Sequence, residues 1–187
     1  MGTWSELDTE VNVDVDTSEL DELIDLLGDN PVFKPAVDIA ERFKKGIKEG
    51  SKEGASKIAE RVKSLQELMI AGNGSIFNGD LLESIEVEEN SEYSYVIGTT
   101  IEHFYPLCVE KGRGEVVPVN APFLQWQNLD GSWVRTLYSS PAEPKPFVKP
   151  AYEQTQSEAI DIVKEAIYDD TTWWNNCKNI IKRKKWR

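Results

Sequence analysis

The chain has 187 residues, 40% of them apolar, with six Trp, six Tyr and six Phe; this is enough to bury a core and excludes a disordered chain. The formal net charge is −12, but it is unevenly spread: residues 1–30 carry ten acids and no Lys or Arg, and residues 171–187 carry six bases and no acid. Such asymmetry suits subunits that meet head to tail, or a basic end that meets nucleic acid.

No apolar run is long enough to span a bilayer, so no membrane association is expected. The acidic start has no positive region leading into an apolar stretch, so no secretory signal is expected either. Cys108 and Cys177 have neither disulfide-framework nor metal-site spacing, which fits synthesis in a reducing, intracellular compartment.

Residues 10–16 alternate apolar and polar and predict an acidic edge strand. Read as a calcium loop from Asn12, they place Thr17 and Leu23 where the mechanism needs Gly and Glu, so a solvated strand is the better reading. Ser18 and Asp21 resemble a capping box, Leu20, Leu23, Ile24 and Leu27 follow at helical spacing, and Gly28 suits a C-cap. The first 30 residues therefore read as an appended arm.

A long helix is predicted from about Pro35 to Ile70, with Ala36, Ile39, Phe43, Ile47, Ile58, Val62, Leu65 and Met69 on one stripe. Gly46, Gly50 and Gly54 leave two readings open. They can admit a second backbone at close range, or they can break the helix in two. Strands are expected at 82–88 and 93–98 with a turn at Asn90-Ser91, and a short helix at 101–111. Residues 111–114 read as an exposed, flexible connection, and two further strands, at 123–127 and 133–138, as a hairpin turned by Asp130-Gly131. A final helix opens near Phe147 or Pro150, with Val148, Tyr152, Ala159, Val163 and Ala166 on one face beside Ile160 and Ile167.

The end of the chain interleaves bases with aromatics: Trp173, Trp174, Lys182, Arg183, Lys184, Lys185, Trp186 and Arg187 are candidate contacts to a protein partner or to DNA. No catalytic site is expected. His103, Cys108 and Glu102 are close in sequence, but five residues on a helix do not bring His and Cys onto one face, and no nucleotide or metal motif is present. No cofactor is expected.

Three short phrases occur in order: Asn78-Gly79-Asp80-Leu81-Leu82-Glu83-Ser84-Ile85, Tyr105-Pro106-Leu107-Cys108-Val109-Glu110-Lys111-Gly112, and Pro146-Phe147-Val148-Lys149-Pro150-Ala151. Over roughly residues 35–170 the chain resembles the neck, or tail-completion, proteins of tailed bacteriophages. That family shows a long helix, Thr-Gly-x-Leu-x-x-Ser-Ile into a strand, Tyr-x-x-x-Val-Glu-x-Gly, a hairpin, and Arg-Pro-Phe-Leu-x-Pro-Ala opening a final helix. Gly79, Leu81, Ser84 and Ile85 match the first phrase, with Asn78 where the family has Thr. Tyr105, Val109, Glu110 and Gly112 match the second. Pro146, Phe147, Pro150 and Ala151 match the third, with Lys145 where the family has Arg.

The phrases also carry physical expectations. Gly79 can take the positive φ of a tight turn, Leu81 and Ile85 should enter the core, and Phe147 should anchor the last helix. Glu110, beside Gly112 and Arg113, reads as an exposed loop residue free for a subunit contact.

The expected fold is α+β: a small antiparallel sheet of about four strands packed by two long helices. Residues 1–30 form the arm, 31–170 the neck-type domain and 171–187 the basic tail. The resemblance implies a structural virion protein, made in the host cytoplasm, whose six copies ring the DNA channel in the head–tail neck. Its neighbours there would be head-completion or connector proteins and tail-tube or terminator proteins, with DNA passing through the lumen. The alternatives are a tail terminator of the same region, or a cellular nucleic-acid-binding module; the second explains the tail but suits the acidic body poorly.

Overall fold

A computed structural model describes residues 7–28, 30–74, 79–101, 104–128 and 130–169. The chain is α+β, with five helices and two small antiparallel sheets of three and two strands among the described residues. The elements are β1 (Thr9–Asn12), α1 (Ser18–Gly28), a 3-10 turn (Pro31–Phe33), α2 (Lys34–Gly72), α3 (Asp80–Glu83), β2 (Ile85–Ser91), β3 (Ser94–Thr99), α4 (Tyr105–Lys111), β4 (Leu124–Gln127), β5 (Trp133–Thr136) and α5 (Val148–Asp169). The single sheet of about four strands is corrected. β1, β3 and β2 form one sheet in that order, and β4 pairs only with β5.

The segment read as an arm thus contributes an edge strand. It is shorter than the alternation suggested: β1 ends at Asn12, Val13 still donates its N–H to the Tyr93 carbonyl at 3.1 Å, and the Asp16 carboxylate accepts the Ser18 N–H at 2.9 Å in the turn that leads into α1. The α1 cap lies one residue earlier than expected. The Thr17 carbonyl accepts the N–H groups of Leu20 and Asp21, both at 3.1 Å, and the Thr17 hydroxyl reaches the Asp21 carboxylate at 3.5 Å.

The long helix is unbroken over 39 residues. Its glycines serve close approach. A Cβ on Gly50 would lie 2.6 Å from the Cα of Ile167, and one on Gly54 would lie 3.0 Å from the Cα of Val163. The backbone of α5 therefore rides in a notch cut into α2, antiparallel to it, since residues 163 and 167 meet residues 54 and 50. Each glycine costs a helix about 1 kcal/mol in propensity; packing against α5 offsets it.

The contacts divide the described chain into two compact units, and the division passes through α2 and the three-stranded sheet. One unit takes residues up to 10, 60–88 and 96–155; its core includes Val62, Leu65, Ile70, Leu81, Ile85, Ile97, Phe147 and Ala151. The other takes residues 11–59, 89–95 and 156 onward, with Ala40, Ala55, Ile58, Ala59, Tyr95 and Ala166 buried. The α2 stripe holds in its second half, where Gln66 is buried as well. Towards its start Ala36 and Ile39 are exposed and Ala40 is buried instead.

Three further expectations are corrected. The strand at 82–88 begins later, because Gly79 at φ 87° starts the short helix α3 and its carbonyl accepts the Glu83 N–H at 2.9 Å. The β2–β3 turn falls at 92–93, two residues beyond Asn90-Ser91, which lie in β2. On α5 the buried face is Ala151, Thr155 and Ala166, whereas Tyr152 and Ile160 are exposed. Thr155 can be buried because its hydroxyl donates to the Ala151 carbonyl at 2.9 Å within the helix.

The notch gives a stability test. Gly50→Ala should destabilise the chain in a denaturant titration despite alanine's better helix propensity, because overpacking against backbone costs about 1–3 kcal/mol. At Gly28, where nothing lies within 4 Å, Gly28→Ala should be neutral or stabilising by up to about 1 kcal/mol.

Candidate functional site

The second and third sequence phrases meet at the start of α5, inside one compact unit. A helix begins with four N–H groups that lack an intrahelical partner. Here Glu110, on the last turn of α4, takes three of them. Its Oε2 accepts the N–H of Phe147 at 2.6 Å and of Val148 at 3.0 Å, and its Oε1 accepts the N–H of Lys149 at 3.3 Å. The fourth position is Pro150, which has no N–H to satisfy. A negative side chain also suits the positive end of the helix dipole. Glu110 is half-buried. The expectation that it sits on an exposed loop is therefore corrected, and its carboxylate is spent within its own chain.

Around this cap the other phrase residues fall into place. The Val109 carbonyl accepts the Lys145 N–H at 2.8 Å. Gly112 closes α4 at φ 74°, and a Cβ there would lie 2.7 Å from the Ala142 carbonyl oxygen and 2.9 Å from the Pro144 nitrogen. Both its conformation and its surroundings thus require glycine. Phe147 is 1% exposed and Ala151 fully buried, while Pro146 is exposed and Pro150 half-buried.

From the first phrase, Leu81 and Ile85 are each 2% exposed, as expected of core residues. The Ser84 hydroxyl donates to the Leu81 carbonyl at 2.8 Å and lies 2.6 Å from the Thr99 hydroxyl. Tyr105 links the first two phrases: burial, then the nearby Asp80 carboxylate, hold its phenol above the usual tyrosine range. Asn78 lies outside the described residues.

From this base springs a two-stranded ribbon. Arg113 and Ala142 exchange both backbone hydrogen bonds at 2.9 Å, and Val116 and Ser139 do so at 3.0 and 2.8 Å. Arg113 also donates to the Ser139 hydroxyl at 2.6 Å, so the connection at 111–114 is tied down at Arg113 rather than free. Farther out, β4 and β5 pair with Leu124 opposite Thr136 and Gln127 opposite Trp133. Asp130 and Gly131 make the turn as expected, with Gly131 at φ 82° and the Asp130 carboxylate accepting the Ser132 N–H at 2.8 Å. The ribbon displays apolar side chains to solvent, among them Val119 (88% exposed), Leu137 (71%) and Trp133 (61%). Sequence reasoning placed the hairpin but did not single out these side chains; their spacing lacks a periodic signal because they lie on irregular chain as well as on strands.

The other unit carries an open groove of 640 Å³ edged by Lys44, Lys48 and Lys52 on α2 and by Asp21, Glu49 and Glu92. Acids offset much of this lysine charge. Lys44 pairs with Asp21, Lys45 with Glu49 at 3.5 Å and Lys52 with Glu89 at 3.8 Å. It is a mixed-charge surface, poorly suited to an anion.

Cys108 is half-buried on α4, and Glu102 and His103 lie outside the described residues. So do Cys177 and all the tail candidates Trp173, Trp174, Lys182, Arg183, Lys184, Lys185, Trp186 and Arg187. Among the described residues no group of His, Cys, Asp and Glu could hold a metal ion, and no helix is long and apolar enough to cross a membrane. Comparison of the chain with protein-family profiles, curated proteins and solved structures finds no match.

The cap and the Lys44 pair can each be tested. Glu110→Ala should cost about 1–2 kcal/mol in a denaturant titration, the range for losing a helix cap, and Glu110→Gln should cost less because one acceptor oxygen remains. Glu115→Ala, at an exposed position, should stay within about 0.5 kcal/mol. The hydrogen bond from Lys44 holds the Asp21 carboxyl below the usual carboxylate range. The stabilisation this pairing gives is present above the unfolded carboxylate value and is lost as pH falls through the lowered one. In Lys44→Met, the Asp21 titration midpoint followed by NMR should move up.

Proposed function

We propose that this chain is a structural subunit of a tailed-phage virion, assembling as a ring in the head–tail neck around the DNA channel. The observation that carries this reading is the α4–α5 junction. The phrase residues Val109, Glu110, Gly112 and Phe147 come together there as one hydrogen-bonded and close-packed base. That base holds out a ribbon with exposed Val119, Trp133 and Leu137. A subunit that must meet identical neighbours needs such a surface on a fixed support, and a closed ring follows when head-to-tail contacts have a rotation that closes. Large exposed apolar side chains on a paired ribbon suit a protein–protein contact. In this reading the channel is lined by the ring, six copies form it, and head-completion and tail-tube proteins cover its two faces.

The test is the particle mass of the purified full chain by light scattering, followed by electron microscopy. Rings with an open centre are expected, and the mass gives the copy number. Val119→Lys with Leu137→Lys should lower the assembled fraction at least about tenfold, as loss of a central apolar contact does, and leave the circular dichroism spectrum unchanged. A one-chain mass at every concentration would overturn the ring.

A further inference from the structure

One surface that the ribbon and the α4–α5 junction leave unexplained lies on α1 and the turn that follows it. Leu26 is 80% exposed, Val32 78%, Phe33 44% and Leu23 43%. Beside the two leucines stand the exposed acids Glu19, Glu22 and Asp25, and α1 carries no base. Residues 23 and 26, with 19 and 22, share the outer side of the helix by their i, i+3, i+4 and i+7 spacing, while Asp21 is held by Lys44. An outward stripe of leucine framed by carboxylates is the chemistry of a face that receives a basic, apolar partner.

The chain contains such a partner. Residues 171–187 hold Trp173, Trp174, Ile180, Ile181 and Trp186 together with six bases and no acid. The direction of α5 places the origin of this segment. Val163 lies over Gly54 and Ile167 over Gly50, so each step along α5 leads back along α2 towards Lys34, the end next to the Pro31–Phe33 turn and α1. Beyond residue 170 there are 17 residues, which extended at about 3.3–3.6 Å each reach on the order of 60 Å, far enough to meet another subunit.

We propose that residues 171–187 of one copy dock on the acid-framed apolar face of α1 and the Pro31–Phe33 turn of a second copy. The proposal rests on the ring reading, because a head-to-tail contact joins two unlike surfaces, and these two are unlike in sign and alike in apolar content. Leucine, valine and phenylalanine receive the tryptophans and isoleucines, and Glu19, Glu22 and Asp25 steer and orient the bases. The contact weakens as salt rises, since its charges lie at the surface.

Two full-length variants test it. Leu23→Lys with Leu26→Lys spoils the face and keeps the basic segment; Lys182→Glu, Arg183→Glu, Lys184→Glu and Lys185→Glu spoil the segment and keep the face. Unchanged circular dichroism checks that each is folded. By sedimentation, each variant alone should lose this contact, and an equimolar mixture should form mixed pairs, because one supplies the segment and the other the face. Mixing that yields no pairs overturns the docking between copies, whether the segment then covers its own α1 or binds elsewhere.

A labelled peptide of residues 171–187 makes the result independent of the ring. It should bind the segment-spoiled chain and bind about tenfold or more weakly once Leu23→Lys and Leu26→Lys are added. Rings of the unmodified chain together with no peptide binding by the segment-spoiled chain would overturn the docking and leave the ring reading standing. Peptide binding by an unmodified chain that stays a single copy would support the docking chemistry and overturn the ring.

Discussion

The geometry of the ribbon-bearing unit depends on one carboxylate. Glu110 ends α4 and begins α5, answering with its two oxygens the donors of Phe147, Val148 and Lys149. Without it, three N–H groups at the half-buried start of a 22-residue helix would need other partners. Because the same few residues also turn the chain at Gly112 and anchor it at Phe147, the cap fixes where the ribbon leaves the body. A charge placed at a helix start thereby sets the position of a surface more than ten residues away.

The second constraint is steric. Gly50 and Gly54 remove two side chains from α2, and the backbone of α5 takes their place. Two long helices can approach this closely only where one of them has no Cβ atoms in the way. Weak helix propensity at those sites is the cost of a contact that gives α5 its direction along α2. That direction, in turn, leads the chain towards the end of α2 where α1 displays its leucines and acids.

These two constraints separate support from display. The phrase residues are mostly buried or engaged in internal hydrogen bonds, so they specify architecture. Other large apolar side chains are left exposed, among them Val119, Trp133 and Leu137 on the ribbon, and Leu23, Leu26 and Val32 on and after α1. A protein whose work is assembly would divide its sequence in this way, since a residue that closes a helix or fills a core has no surface to offer a partner.

Local physical rules were enough to read much of this chain. Periodicity placed α2 and α5, Asp130-Gly131 placed the hairpin, and the positive φ of Gly79 followed from its turn. Leu81, Ile85 and Phe147 were expected in the core and are buried there. What the sequence could not decide were choices between local options of similar energy. Whether the glycines of α2 would break it or admit a neighbour depended on α5 arriving at residues 163 and 167. Whether Glu110 would face solvent or a helix start depended on Phe147, 37 residues on, being brought to it. On α5 Ala166 is buried as expected, but Ala151 and Thr155 are buried where Tyr152 was expected, the Thr155 hydroxyl being satisfied inside the helix. The sequence by itself determined where the long helices and most of the strands lie, because those preferences are local. Only the tertiary structure decided where a carboxylate is spent and which apolar side chains remain exposed, because each of these is settled by groups distant in sequence competing for the same space.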